Sequence, residues 1–276
     1  MNLRDYEWER VSVAYSTVDG IRLILDQIDL VLRRGEWLAL VGRNGSGKST
    51  LAKVAAGLLP ISAGRIELGW VEQATVRMVL QNPEAQLIGE TVEEDLTFTL
   101  EIIGLTGAEL ERRLGVALQA VGLERLRYAA VAELSGGQKQ LLAIAGCIAS
   151  EAQLIVFDEA TSMLDPLARE RLLETASQLH ASGVAIVWVT HEMEELAGAD
   201  RVIALDQGRV EYEGNVRRFF YADATGRRGE SACERLGLAL PFAIEAVAEL
   251  GAQGVELPEQ PLTGAELLAQ LEVMLR

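Results

Sequence analysis

The eight residues Gly42-Arg43-Asn44-Gly45-Ser46-Gly47-Lys48-Ser49 constrain the fold more than any other stretch of the chain. They follow a short apolar run, Glu36 to Val41, that reads as a strand, and they open Lys48 to Ala56, which reads as a helix capped by Gly57 with Pro60 just beyond. The spacing is G-x-x-x-x-G-K-S/T, and a strand before it and a helix after it are the context that gives this spacing meaning. Glycines let the backbone curl so that successive N–H groups point at phosphate oxygens, and the helix N-terminus adds its partial positive charge. Gly42, Asn44, Gly45, Ser46, Gly47 and Thr50 form the expected cradle of a nucleoside triphosphate. Lys48 is placed to reach the β- and γ-phosphates, and Ser49 to offer its hydroxyl to Mg2+, a hard cation that prefers oxygen. The alternative, a glycine-rich turn, does not account for the context.

A second constellation supports the first. Leu154 to Phe157 is an apolar strand that ends in Asp158 and Glu159. A buried strand needs no pair of carboxylates at its end, whereas a magnesium–nucleotide site does. Asp158 is the candidate metal holder and Glu159 the candidate residue that orients or deprotonates an attacking water.

Composition removes other classes. With 25 basic and 41 acidic residues the net charge is −16, which lacks the basic footprint of a general nucleic-acid binder and opposes charge-driven adsorption to anionic lipid. Two lone cysteines, Cys147 and Cys233, fit a reducing compartment and give no metal or redox motif. The start Met1-Asn2-Leu3-Arg4-Asp5 gives no expectation of a signal peptide. No apolar run approaches the roughly 20 residues of a membrane span, so a membrane role is expected through a partner, at the cytoplasmic face.

Further strands are expected at Val11 to Tyr15, Ile21 to Leu32, Gly64 to Leu68, Val76 to Gln81, Val184 to Val189 and Val202 to Leu205. Helices are expected from Thr91, which with Glu94 forms a capping box, towards Ile103, and over Ala108 to Val121, from Ser135 onward, and over Pro166 to Ala181. Composition shifts after Tyr221. Asp223 to Cys233 reads as a linker, Leu240, Ile244, Val247 and Leu250 as a helical stripe, and Thr263 to Glu266 as a capping box for a last helix carrying Leu267, Leu271 and Met274. From Gly229 to Arg276 there are eight Glu against two Arg, which marks a small acidic helical appendage, or a tail packed on its own domain.

Leu134-Ser135-Gly136-Gly137-Gln138 resembles the signature of ABC ATPases. Ser135 and the glycines open a helix and so make a second anion site. A chain with two phosphate cradles but one triphosphate loop implies head-to-tail pairing, each signature closing on the nucleotide of a second ATPase subunit, identical or homologous. The resemblance covers about residues 8 to 221. It implies an α/β fold: a RecA-like P-loop core, an antiparallel β-subdomain and an α-helical signature subdomain at about 82–152, with residues 222–276 as a C-terminal helical extension and candidate dimerisation element. Tyr15 looks like the aromatic that stacks on adenine, with a core aromatic as the alternative. Gln81 looks like the Q-loop residue that senses Mg2+ and water, Asp165 in Ser162-Met163-Leu164-Asp165 like the D-loop acid at the dimer interface, and His191 like the switch histidine on γ-phosphate. His180, inside a helix, reads as an ordinary histidine. The chain departs from the family at Leu141, near which arginine is usual.

Gln81-Asn82-Pro83-Glu84-Ala85-Gln86-Leu87-Ile88-Gly89-Glu90-Thr91-Val92-Glu93-Glu94-Asp95 is similar to the Q-loop region of energy-coupling factor transporter ATPases, and Leu238 to Phe242 and Leu262 to Leu267 share that similarity. The resemblance implies an ATPase that drives uptake of a vitamin or transition-metal ion through a transmembrane T component, which docks on the Gln81–Asp95 region, and indirectly through a substrate-binding S component. Glu84, Glu93, Glu94 and Asp95 are the expected acidic partners for arginines of the T component; the alternative for them is the ordinary favouring of acids at helix N-termini. The competing reading is the ATPase of a binding-protein-dependent importer. One triphosphate loop and one signature, with no room for a coiled coil between Lys48 and Ser135, oppose ribosome-acting and chromosome-type relatives.

Overall fold

The computed structural model describes residues 4–18, 20–72, 75–221 and 230–274. Its spine is a six-stranded sheet in the order β5-β6-β7-β3-β8-β9, made of β5 (Val76–Val79), β6 (Leu154–Asp158), β7 (Ala185–Val189), β3 (Trp37–Gly42), β8 (Arg201–Asp206) and β9 (Arg209–Gly214). All pairs are parallel except β8 with β9. Every residue of β3, β6 and β7 is buried, as parallel strands covered by helices on both faces must be, which is why these segments read as unbroken apolar runs.

One face is covered by α1 (Lys48–Ala55) and by a three-stranded antiparallel sheet, β2-β1-β4, formed by β2 (Gly20–Leu32), β1 (Tyr6–Thr17) and β4 (Ala63–Glu67). The other face carries α5 (Pro166–Ala181) and a helical arm of α2 (Val92–Ile102), α3 (Gly107–Val121) and α4 (Gly136–Ala149) in one apolar cluster with the sheet. The capping box expected at Thr91 forms, and Ser135, expected to open a helix, also makes one, each with its reciprocal pair of hydrogen bonds.

Parallel order puts the C-terminal ends of β3, β5, β6 and β7 along one edge of the sheet. Gly42, Asp158 and Val189 end their strands there, and Gln81 and His191 follow two residues past Val79 and Val189. Open α/β sheets bind ligands at this edge. At the opposite edge Arg201 forms a buried ion pair with Glu36.

Three differences from the sequence reading have physical causes. β9 was not expected, because Arg209, Glu211 and Glu213 alternate with its half-buried residues, the charged pattern of an edge strand. The last turn, α6 (Val216–Phe220), is too short for periodicity to show. Of the expected linker Asp223 to Cys233, residues 222–229 lie outside the described residues, and its end is ordered. Ser231 and Glu234 cap α7 (Ala232–Arg235), and Cys233 is fully buried. Beyond it lie α8 (Phe242–Ala252) and α9 (Gly264–Met274). Cys233, Ile244 and Leu262 pack with Phe219 and Phe220 against Ala39, Val41, Val202 and Ala204 of the main sheet. The Tyr221 hydroxyl donates to Pro261 O at 2.6 Å. The tail therefore rests on its own core.

Burial pushes the Cys147 and Cys233 thiols up to about 12, which leaves neither as a thiolate nucleophile or ligand at neutral pH. Among the described residues no helix is long and apolar enough to cross a membrane.

Candidate functional site

Two glycines of the loop are required by close approach. Gly42 has φ 144°, and a Cβ there would lie 2.2 Å from Leu205 O and 2.8 Å from Ser46 Oγ. Gly47, the residue before α1, has φ 107°, and its Cβ would meet Leu25 Cδ2 at 2.8 Å. Gly45, at φ 80°, faces open space. Lys48 folds back across the loop, its Nζ donating to Gly42 O at 2.9 Å and Arg43 O at 3.3 Å. Burial pulls its ammonium below the ordinary lysine value, against the opposing pull of Glu159 and Asp158. Ser46 Oγ is buried with no hydrogen-bond partner among the described residues. A glycine-walled loop with a free hydroxyl and a folded ammonium fits a polyphosphate, the group that would turn Lys48 outward.

The acids stand opposite. Ser49 Oγ donates to Asp158 Oδ1 at 3.0 Å. Burial raises the Asp158 pKa, the Ser49 hydrogen bond lowers it, and neighbouring Glu159 adds a smaller rise. A hydroxyl and a carboxylate in contact, both oxygen donors, fit Mg2+, which takes one or two protein oxygens and fills its shell with phosphate and water. Among the described residues no group of three or more His, Cys, Asp or Glu could hold a metal alone, so the donors do not suit a transition metal caged by protein.

Glu159 adopts φ 51°, left-handed for a non-glycine residue, and its N–H donates to Val189 O at 3.0 Å. Such backbone strain gathers at functional sites. It turns the carboxylate towards two other residues. Gln81 Nε2 donates to Glu159 Oε2 at 3.4 Å, and His191 Nδ1 lies 3.7 Å from the same oxygen. The structure thus brings together Lys48, Ser49, Asp158, Glu159, Gln81 and His191.

The remaining candidates lie apart. Ser135 and Gly136 are exposed at the start of α4, while a Cβ on Gly137 would meet Ala168 Cβ at 2.6 Å. Ser135 and Gln138 are joined by their capping box. Asp165 caps α5, accepting from Ala168 N at 3.0 Å. Tyr15 is exposed at the edge-facing end of β1, opposite Arg22. No hydrogen bond among the described residues links Ser135, Gln138 or Asp165 to the Lys48–Glu159 cluster. His180 bonds Asp200 Oδ2 at 3.0 Å and packs edge-on against Trp37, an ordinary structural role.

The four acids expected to meet the T component, Glu84, Glu93, Glu94 and Asp95, are all engaged within the chain. Glu84 pairs with Lys139 at 2.5 Å, and Glu93 with Arg127 at 2.5 Å. Glu94 accepts from Glu90 N and Thr91 N at 3.1 Å. Asp95 Oδ1 accepts from Ile88 N at 2.7 Å and Gly89 N at 3.0 Å. Beside them Ile88, Phe98 and Ile102 are exposed.

Two further residues touch the site. Ser162 Oγ accepts from Gln81 Nε2 at 3.1 Å and donates to Glu159 O at 2.9 Å. Gln140, buried on α4, reaches the backbone beside Gln81 and Glu159. Ser162 begins the D-loop stretch but is not itself singled out by it, and Gln140 carries no spacing that marks it in the sequence; only its long-range contacts do.

Fold and site together define a P-loop ATPase of the cassette type, with a helical arm between the triphosphate loop and the strand-end acid pair Asp158 and Glu159. The ABC transporter family profile matches residues 25–162. The energy-coupling factor transporter ATP-binding protein EcfA1 of Symbiobacterium thermophilum is 43% identical, covering 95% of either chain. The protein of that name in Bacillus subtilis is 39% identical over 92% of this chain and 91% of its own. Among solved structures, cbiO1 from Clostridium perfringens, part of the ABC transporter complex cbiONQ, superposes with TM-score 0.72 at 28% identity, covering 89% of this chain and 100% of its own. A dimeric post-hydrolysis state of the ATP-binding cassette MJ0796, bound to ADP and Pi, superposes with TM-score 0.69 at 26% identity, covering 76% and 98%. The chain belongs to the ATP-binding proteins of energy-coupling factor transporters, within the ABC transporter family, and is an ATPase.

Proposed function

We propose that this chain powers uptake of a vitamin or transition-metal ion, as one of two ATPase subunits held at the cytoplasmic face of the membrane by a T component. The observation that carries the site assignment is the convergence of Gln81 and His191 on one oxygen of Glu159, beside the Ser49–Asp158 contact. The Gly42–Thr50 loop binds the phosphates, with Lys48 on the outer two, and Tyr15 carries the adenine. Ser49 and Asp158, with Gln81 nearby, hold Mg2+, which when bound neutralises charge on the phosphate oxygens. Glu159 orients the water and takes its proton, and His191 contacts the γ-phosphate. Ser135, Gly136, Gly137, Gln138 and Asp165 face the partner subunit's nucleotide, which accounts for their separation from the chain's own cluster. The T component sits on the Gln81–Asp95 region. Since Glu84, Glu93, Glu94 and Asp95 are already engaged within the chain, the exposed Ile88, Phe98 and Ile102 give it an apolar seat, with the acids acting as a rim.

Affinity purification of the tagged chain from membranes of its host is expected to bring a polytopic membrane protein and an ATPase subunit, without an extracytoplasmic binding protein. Recovery of the chain alone, or with a binding-protein-dependent permease, would refute the assignment of partners. Ser49→Ala is expected to raise the Mg2+ concentration for half-maximal ATP turnover by at least about tenfold, the scale of losses around metal ligands. An unchanged magnesium titration would remove Ser49 from the metal site.

A further inference from the structure

Helix α4 carries a side chain that the hydrolytic roles above leave unused. Gln140 is completely buried. Its Nε2 donates to three backbone carbonyls: Leu80 O at 2.9 Å, Ala160 O at 3.0 Å and Gln81 O at 3.2 Å. Its Oε1 has no hydrogen-bond partner among the described residues. Turned over, the amide would set its own oxygen against three carbonyl oxygens, so the acceptors fix its orientation. Packing alone does not ask for a glutamine here. Leu142 and Ile144 fill neighbouring turns of the same helix with no exposed surface, and a buried amide with an unpaired oxygen is costly.

The carbonyls lie on two segments far apart in the sequence. Leu80 and Gln81 are the residues past β5, and Ala160 directly follows Glu159. One amide therefore ties the backbone on either side of the Gln81–Glu159 contact to the helix whose start, Ser135 to Gln138, makes no hydrogen bond to the chain's own site among the described residues. We propose that Gln140 is a positioning residue: it sets the Gln81–Glu159 geometry and transmits movement of α4, as its signature end engages a partner's nucleotide, to the chain's own hydrolytic pair. This rests on the roles given to Gln81 and Glu159 above.

The test is steady-state ATP hydrolysis by the full-length chain, in the assembly in which the wild type turns over. Gln140→Met keeps the length and loses both donors; Gln140→Leu loses them as well, without adding a charge. Each is expected to lower kcat by about tenfold, with KM for ATP within about twofold, because the phosphate loop is untouched. In a Gln81→Ala background the same substitutions are expected to cost less than about twofold, since the group being positioned is gone. A general loosening of the fold would instead lower kcat equally in both backgrounds and reduce Tm. Equal losses, or wild-type kcat in both variants, would overturn the proposal. Wild-type turnover by Gln81→Ala and by Glu159→Gln would overturn the site assignment itself, a result distinguishable from failure of Gln140 alone.

Discussion

Glu159→Gln is expected to lower ATP turnover by about 10²- to 10⁴-fold, the range lost with a general base, and to leave ATP bound in a stable dimer. The substitution is nearly isosteric, so the left-handed turn at φ 51° and the N–H bond to Val189 O persist. What disappears is the charge and basicity of the oxygen that faces Gln81 Nε2 at 3.4 Å and His191 Nδ1 at 3.7 Å. In the proposed assignment nucleotide binding is carried elsewhere, by the glycine loop, Lys48 and the Ser49–Asp158 pair. Removing one negative charge near the γ-phosphate favours the bound triphosphate further. The closed state is thereby reached and not left, which is a population shift towards the state that binds ATP more tightly. Phosphate release and light scattering after size exclusion, with Mg-ATP and with Mg-ADP, would show it. Turnover near the wild-type rate, or a monomer in Mg-ATP, would refute the role of Glu159.

The residues that meet at the C-terminal edge of the sheet were legible because they are written in local patterns. Gly42 to Ser49 is a turn between a buried strand and a helix, and Asp158 and Glu159 interrupt an apolar run; both signals lie within a dozen residues. The Thr91 and Ser135 caps were likewise legible from spacing alone. Distance in the chain hid the rest. Glu84, ahead of α2, meets Lys139 of α4, and Glu93 of α2 meets Arg127, between α3 and α4, only after the helical arm has folded, so acids that look free for a partner are already engaged. Gln140 sits among apolar neighbours, and its three acceptors lie 20, 59 and 60 residues away. Cys233 looked like linker because Ser231 and Glu234 cap a helix of four residues, below the length at which periodicity registers.

Arg201→Ala is expected to destabilise the fold by about 3–5 kcal/mol, the usual cost of stranding one member of a buried ion pair. Arg201 Nε donates to Glu36 Oε1 at 2.7 Å and Nη2 to Glu36 Oε2 at 3.0 Å. The guanidinium also bonds Val31 O and Glu213, so it fastens β2, β3, β8 and β9 at one point. Glu36 is only 6% exposed. Once the guanidinium is gone, it keeps Arg33 as a charged partner, at 3.3 Å and from a largely exposed side chain. Chemical denaturation should show the loss as a lower midpoint. The double variant Arg201→Met with Glu36→Gln should recover much of it, because no buried carboxylate is then left unpaired. Arg201 pairs with Leu38 at the start of β3, whereas Leu205 pairs with Gly42 at its end, so the ion pair lies at the edge away from the phosphate loop. KM for ATP of the folded fraction is therefore expected to stay within about twofold, as for a substitution that leaves ground-state binding intact. A loss below about 1 kcal/mol, the value of an exposed pair, would show that water reaches Glu36. A large rise in KM would show that the two edges of the sheet are coupled.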